Sequence, residues 1–302
     1  MNKNTLSDKY SPVIVGDSCC DLMNDFLEEN QIDRIRFSYT LDDEVYYNNS
    51  LEDETDQFYL QLEDGANPKS SQINVQTFID KFQQFLPLGR PIIYIGFSSA
   101  LSATYQSAMT AVKMIKEDYP QADISVVDTK AASVGEGMIL RQAVLMAKEG
   151  KSKDQILDWI EENKLHLHHL FTVDELSYLQ KGGRLSSAAA FLGDMLNIKP
   201  LLLVDAEGGL MAYKKERGRK KILKVMVSEM EDRIIDSEKQ VIAIGYGTCQ
   251  SDALILKEMI LNKFPVQDVI LSRIGPVIGI HTGPSVLALF FWGKERTETS
   301  LK

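Results

Sequence analysis

Ser98 and Ser99 stand where an apolar strand pattern gives way to a helix pattern, inside Gly96-Phe97-Ser98-Ser99-Ala100-Leu101-Ser102-Ala103-Thr104-Tyr105. Pro91-Ile92-Ile93-Tyr94-Ile95 before them reads as a buried strand. Leu101, Tyr105, Ala108, Val112 and Ile115 after them recur on one helical face. Free N–H groups at a helix start attract anions, and serine hydroxyls add donors, so this loop is a candidate anion pocket. Two other readings stand beside it: a serine nucleophile, which would need a histidine base and an acid, and plain helix capping. The loop has no lysine, no Gly-x-Gly-x-x-Gly and no Gly-x-Ser-x-Gly elbow, which weakens nucleotide binding and hydrolysis alike.

Three further places carry chemistry. His281 and Thr282 lie in Gly279-Ile280-His281-Thr282-Gly283-Pro284, framed by Gly275-Pro276 and Gly283-Pro284, which reads as a stiff polar loop; a lone histidine there is either a hydrogen-bonder or a catalyst. Arg184 follows Gly182-Gly183 at an expected helix end, as a helix-end cap or as a clamp for a carboxylate or phosphate. Lys214 to Lys221 holds six basic residues and one acid, with Arg217 and Arg219 flanking Gly218 on a turn fit to dock an acidic partner or a phosphate, or serving solubility alone.

The elements that must position these residues form an α/β pattern. Strands are expected at Val13-Ile14-Val15, Ile35 to Tyr39, Ile92-Ile93-Tyr94-Ile95 and Asp123 to Thr129, and helices at Leu22 to Glu29, Phe58 to Leu62, Val75 to Phe85 and from Gly135 through Lys148. Lys69-Ser70-Ser71-Gln72 reads as a second hydroxyl-rich loop. Alternating strands and helices imply an open, mostly parallel sheet, with ligands beyond the carboxyl ends of its strands. The second half differs in texture: helices Asp174 to Lys181 and Ala188 to Leu196, a hairpin over Leu201 to Tyr213, a helix from Lys220 to about Ile235, then strands Val241 to Tyr246, Val269 to Ile274 and Val286 to Phe291. The expected architecture is two α/β domains, residues 1–163 and 164–302, the second with a mixed or antiparallel sheet.

Composition narrows the function classes. A net charge of −10 and a pI near 5.0 argue against a nucleic-acid binder. Three cysteines, two of them adjacent, make neither a disulfide framework nor a zinc site. The N-terminus is polar and no apolar run approaches the ~20 residues of a membrane helix, so a cytoplasmic protein without membrane insertion is expected. No metal or cofactor is expected.

Seven blocks occur in one order: Asp17-Ser18; Ser70-Ser71-Gln72; Phe97 to Gln106; Val127-Asp128-Thr129; Glu175 to Arg184; Leu196-Asn197-Ile198-Lys199-Pro200; and Ile280 to Pro284. Together they resemble the DegV family of bacterial fatty-acid-binding proteins, including the FakB-type subunit of fatty acid kinase, over about Val13 to Trp292. The resemblance implies a long-chain fatty acid held between two domains, its carboxylate near the surface and its acyl chain in an apolar tunnel. It implies a separate ATP-dependent kinase subunit that phosphorylates the carboxylate, with the acyl phosphate entering phospholipid synthesis. Carried onto this chain, Ser70, Ser71, Ser98, Ser99, His281 and Thr282 would bind the carboxylate, Arg184 would support the network, and Arg217 and Arg219 would face the kinase. The competing readings are a serine-type acyl hydrolase using Ser98 or Ser99 with His281, and a carrier of some other amphipathic acid.

Overall fold

Short apolar runs followed by polar residues build the first sheet: β1 (Val13–Asp17), β2 (Asp33–Ile35), β6 (Ile92–Gly96) and β7 (Ile124–Asp128), all parallel in the order β2-β1-β6-β7. The computed structural model describes residues 11–49, 52–185 and 197–299. Side chains alternate across β6, so Ile92 and Tyr94 point one way and Ile93 and Ile95 the other. Helices α3 (Val75–Phe85) and α4 (Thr104–Asp118) cover the first face through Phe78, Phe82, Ala108 and Val112. Helices α5 (Val134–Lys148) and α6 (Lys153–Asn163) cover the second through Leu140, Ala143, Ile156 and Ile160. Burial on both faces explains why these strands are apolar throughout rather than alternating.

The chain then enters a second, mixed sheet of six strands, ordered β10-β9-β8-β13-β11-β12. Its members are β8 (Leu167–Thr172), β9 (Ile198–Val204), β10 (Leu210–Arg217), β11 (Val241–Tyr246), β12 (Asp268–Arg273) and β13 (Leu287–Trp292). Only the β11–β12 pair is parallel. Helices α8 (Arg219–Arg233) and α9 (Gln250–Lys263) bury its outer face with Leu170, Leu203, Ile244 and Phe291. The inner face, with Phe171, Leu202, Ala288 and Phe290, turns toward α5 and toward α10 (Pro276–Thr282). The α/β class, the parallel first sheet and the mixed second sheet match the sequence expectation.

Several local expectations are corrected. The strand expected over Ile35 to Tyr39 is two, because the chain turns at Phe37: β2 ends at Ile35 and β3 (Ser38–Leu41) starts a third, antiparallel sheet, β4-β3-β5. Phe37 N donates to Ser18 Oγ at 2.9 Å there, which leaves the first ladder. Its partners are β4 (Glu44–Tyr47) and β5 (Lys69–Ser71), so the Ser70-Ser71 segment is an edge strand and not a loop. A 3₁₀ turn at Ser18–Cys20 and a short α1 (Asn24–Glu29) replace the helix expected from Leu22, and α2 (Glu52–Glu63) extends the helix expected at Phe58. The helix expected over Asp174 to Lys181 narrows to α7 (Ser177–Lys181), and of the Gly182-Gly183 pair expected to end it, Gly183 takes the left-handed conformation. The helix expected over Ala188 to Leu196 lies outside the described residues. α6 was not anticipated, although Ser152 and Gln155 form a capping box at its start.

Candidate functional site

His281 sits in the last turn of α10, so the stiff loop expected around it is a helix. Pro276 occupies the first helical turn, where its missing N–H costs nothing, and Gly283, at φ 77°, ends the helix. His281 Nε2 lies 2.8 Å from Ser70 Oγ on β5, a contact across 211 residues of sequence. Gly182, just past α7, packs on the other side of the ring: a Cβ there would strike His281 Nδ1. Among the described residues Nδ1 has no hydrogen-bond partner. Burial, and secondarily the Arg184 guanidinium, pushes the imidazole down to about 4, so His281 is neutral at physiological pH.

Two cavities meet at this histidine. The first, of about 70 Å³, is apolar and walled by Phe97, Leu101, Phe171, Leu179, Ile278 and Phe290 among others, between the inner face of the second sheet and the loops of the first. The second, of about 230 Å³, is mixed, with Ser70, Ser71, Gln72, Ser102 and Arg184 set among apolar residues such as Phe37 and Val277. Phe97, Leu101, Ile278 and His281 line both. Outside them lies an outer hollow of about 600 Å³ that Ser70, Arg184 and His281 share with Lys69, Tyr178 and Lys181. An apolar cavity, a hydroxyl-bearing throat and a mouth bearing cations thus adjoin at His281, on a chain whose net charge is −10. Arg184 is held there by donating from Nε to Leu101 O at 3.1 Å and from Nη1 to Gly182 O.

The structure brings together Ser70, Ser71, Arg184 and His281, and leaves the other expected residues elsewhere. Ser98 is fully buried and its Oγ donates to Gly208 O at 2.8 Å, on the β9–β10 turn. Gly208 has φ 85°, and a Cβ there would strike Ser98 Oγ, so glycine is required on both counts. Ser99 donates to Asp128 from N at 3.1 Å and from Oγ at 2.5 Å. The loop's amides are spent locally: Ser98 N on Ala131 O, Ala100 N on Ser98 Oγ, and Leu101 N and Ser102 N on Ser98 O. In this structure the hydroxyls and amides of the Ser98-Ser99 loop bond within the protein, and α4 starts only at Thr104. Thr282 lines the apolar cavity, with its Oγ1 donating to Ile278 O at 3.0 Å.

The basic pair also divides. Arg217 is exposed at the end of β10. Arg219 is tied inward: Nε donates to Asp252 Oδ2 at 2.8 Å, Nη2 to Ser285 O at 2.9 Å, and Nη1 lies 3.4 Å from Asp174 Oδ1. Sequence reasoning missed Ser102, Lys69 and Lys181 at the throat and mouth. Ser102 was legible as a hydroxyl before a helix, whereas nothing local marks the two lysines. Among the described residues no group of three or more His, Cys, Asp or Glu could hold a metal ion, and no helix is long and apolar enough to cross a membrane.

Fold and site define an α/β protein whose two main sheets flank an apolar cavity that adjoins a hydrogen-bonding pocket. A family model described as "Uncharacterised protein, DegV family" matches residues 12–294. The chain belongs to the DegV family. It is 43% identical over 282 residues to a DegV domain-containing protein of Clostridium perfringens, covering 93% of this chain and 97% of that one. A DegV domain-containing protein of Streptococcus pyogenes is 38% identical over 284 residues, covering 93% and 98%. Among solved structures, a fatty-acid-binding DegV-family protein of Thermus thermophilus superposes with a TM-score of 0.85 at 26% identity, covering 94% of this chain and 99% of that one. DegV of Bacillus subtilis, a fatty-acid-binding protein, gives 0.81 at 28% identity, covering 94% and 100%.

Proposed function

We propose that this protein encloses a long-chain fatty acid between an N-terminal unit, residues 1–163, and a C-terminal unit, residues 164–302, and presents the carboxylate to a separate ATP-dependent kinase. The resulting acyl phosphate would feed phospholipid synthesis in the cytoplasm. The observation that carries this reading is His281, which stands on the shared wall of the apolar cavity and the hydroxyl-bearing one and pairs with Ser70. Solved relatives described as fatty-acid-binding support it.

The chemistry is consistent. A carboxylate leaving water needs hydrogen bonds. Ser70, Ser71 and, when its Nε2 or Nδ1 proton is free to donate, His281 supply them, with Arg184 behind. None of these need bind the carboxylate so tightly as to silence it as a nucleophile toward ATP. Lys69 and Lys181 at the mouth suit the approach of a polyphosphate. The acyl cavity holds only a few methylene groups at about 70 Å³, so a long chain must turn aside wall side chains such as Phe171, Leu179 and Phe290. The hydrolase reading is disfavoured because Ser98 and Ser99 bond elsewhere, and because Ser70, which does meet His281, has no acid on Nδ1 to orient its base.

Native mass spectrometry of the purified protein, followed by lipid extraction, is expected to find about one fatty acid per chain. An empty protein that cleaves ester substrates rapidly would overturn the carrier reading. At the docking surface, Arg217→Ala is expected to slow acyl-phosphate formation by the kinase about tenfold without changing lipid occupancy or melting temperature. Arg219→Ala is expected to lower the melting temperature, since it strips partners from Asp252 and Ser285. Unchanged coupling in Arg217→Ala would move the docking face elsewhere.

A further inference from the structure

Behind the cavity lies a cluster of buried acids that the proposed binding chemistry does not use: Asp17, Asp21 and Glu136. Asp21 differs from the other two in what it joins. Its carboxylate accepts from Ser133 Oγ at 2.5 Å and from Gly275 N at 3.0 Å, while its carbonyl accepts from Ser272 Oγ at 2.6 Å. Ser133 lines the acyl cavity, at the start of α5. Gly275 is the N-cap residue of α10, whose far end carries His281. One carboxyl group therefore clamps two walls of the ligand space, one belonging to each main sheet.

Three features set this clamp apart from ordinary core polarity. Ser133 has φ 54° and ψ −141°, a strained conformation for a non-glycine residue, and its hydroxyl is bonded to Asp21 there. Gly275 must lack a side chain, since a Cβ would lie 2.8 Å from Asp21 Oδ1. Asp21 itself is 3% exposed, and burial pushes its carboxyl up to about 7, so it is carried in the interior at a cost. A strained serine on the cavity wall and a costly acid behind it are poor choices for stability alone, because an apolar pair would serve that purpose better.

We propose that Asp21 is a positioning residue of the fatty-acid site: by tying Ser133 to the N-terminus of α10 it fixes the helix that holds His281 against Ser70. This rests on the fatty-acid reading above. Asp21 touches neither throat nor mouth, so its effect falls on how well the head group is told apart, through α10.

The test compares delipidated wild-type protein with Asp21→Leu, Asp21→Asn and Ser133→Ala, measuring affinity for oleate and for methyl oleate, with a melting curve for each. Wild type is expected to prefer oleate, because the ester lacks the charge that the throat and mouth receive. Asp21→Leu is expected to lose that preference about tenfold, and Ser133→Ala, which keeps the fold if Asp21→Leu does not, to lose it several-fold. Asp21→Asn keeps an acceptor for Gly275 N and a partner for Ser133 Oγ, so its preference is expected within twofold of wild type. A purely structural role would weaken both ligands equally and leave the ratio unchanged in every variant, which would overturn the proposal. So would an Asp21→Asn variant that loses as much as Asp21→Leu. A wild-type protein that binds neither compound would instead overturn the fatty-acid reading, and this role with it.

Discussion

Arg296→Ala is expected to destabilise the protein by about 4 kcal/mol, the estimate for stripping a charged donor from several buried carbonyls at roughly 1 kcal/mol each. Arg296 is 2% exposed. Its Nη1 donates to Val204 O and Asp205 O, both at 3.0 Å, and its Nη2 to Lys130 O at 3.1 Å and Lys164 O at 3.2 Å. The acceptors come from the end of β9, the turn after β7 and the end of α6, so one planar guanidinium joins segments flanking both main sheets. Ser98 Oγ on Gly208 O and Ala206 N on Glu298 O close the same seam. Burial pushes the guanidinium down to about 10, which still leaves it charged at neutral pH. Urea or thermal denaturation measures the effect, a fall in melting temperature of about 8 °C or more at roughly 2 °C per kcal/mol for a chain of this size. Arg296→Lys should recover less than half, because a single ammonium cannot reproduce the planar fork. A fall below 2 °C in Arg296→Ala would show that the seam does not depend on this residue.

His281→Ala is the functional counterpart. Acyl-phosphate formation by the kinase is expected to fall more than tenfold while about one fatty acid per chain is retained. The asymmetry follows from magnitudes: each buried methylene contributes ~0.8 kcal/mol, so a long tail dominates affinity, whereas one head-group hydrogen bond is worth about 1–3 kcal/mol and chiefly orients. Because the imidazole is pushed down to about 4, it stays neutral from pH 6 to 8, and its contribution to the rate is expected to be flat there. The linkage sign is equally definite. An unfolded histidine charges near pH 6.5 and the folded one near 4, so the folded state binds fewer protons, and this residue's share of stability is lost as pH falls from about 6.5 toward 4. His281→Ala should therefore lose less stability than wild type over that acid window. Full kinase coupling in the variant would remove His281 from the presentation of the carboxylate.

Much of the fold was legible because it rests on local pattern. The strands at Ile92 to Gly96 and Val241 to Tyr246 are apolar runs bounded by polar residues, and α3 runs from Val75 to Phe85 as its periodicity predicts. The third sheet was not legible, since β4 is exposed along its length and β5 is three polar residues that become a strand only against Tyr39 and its neighbours. The same limit governed the site. Ser70, Arg184 and His281 were identified by type and by family resemblance, but nothing in the chain could say that Ser70 and His281 are bonded while Ser98 is bonded away from them.

The sequence by itself determined the α/β class, the order of the main elements, the DegV kinship and the residue types available for holding an anion. These depend on periodicity, turn chemistry and blocks of neighbouring residues, all short-range properties of the chain. The tertiary structure alone decided which hydroxyls line the cavities. A serine hydroxyl bonds whichever partner the fold brings within about 3 Å. The β9–β10 turn brings Gly208 to Ser98, and α10 brings His281 to Ser70. The loop that most resembles an anion site therefore fastens one sheet to the other, and the hydroxyl-rich segment expected to be a loop forms the throat as an edge strand.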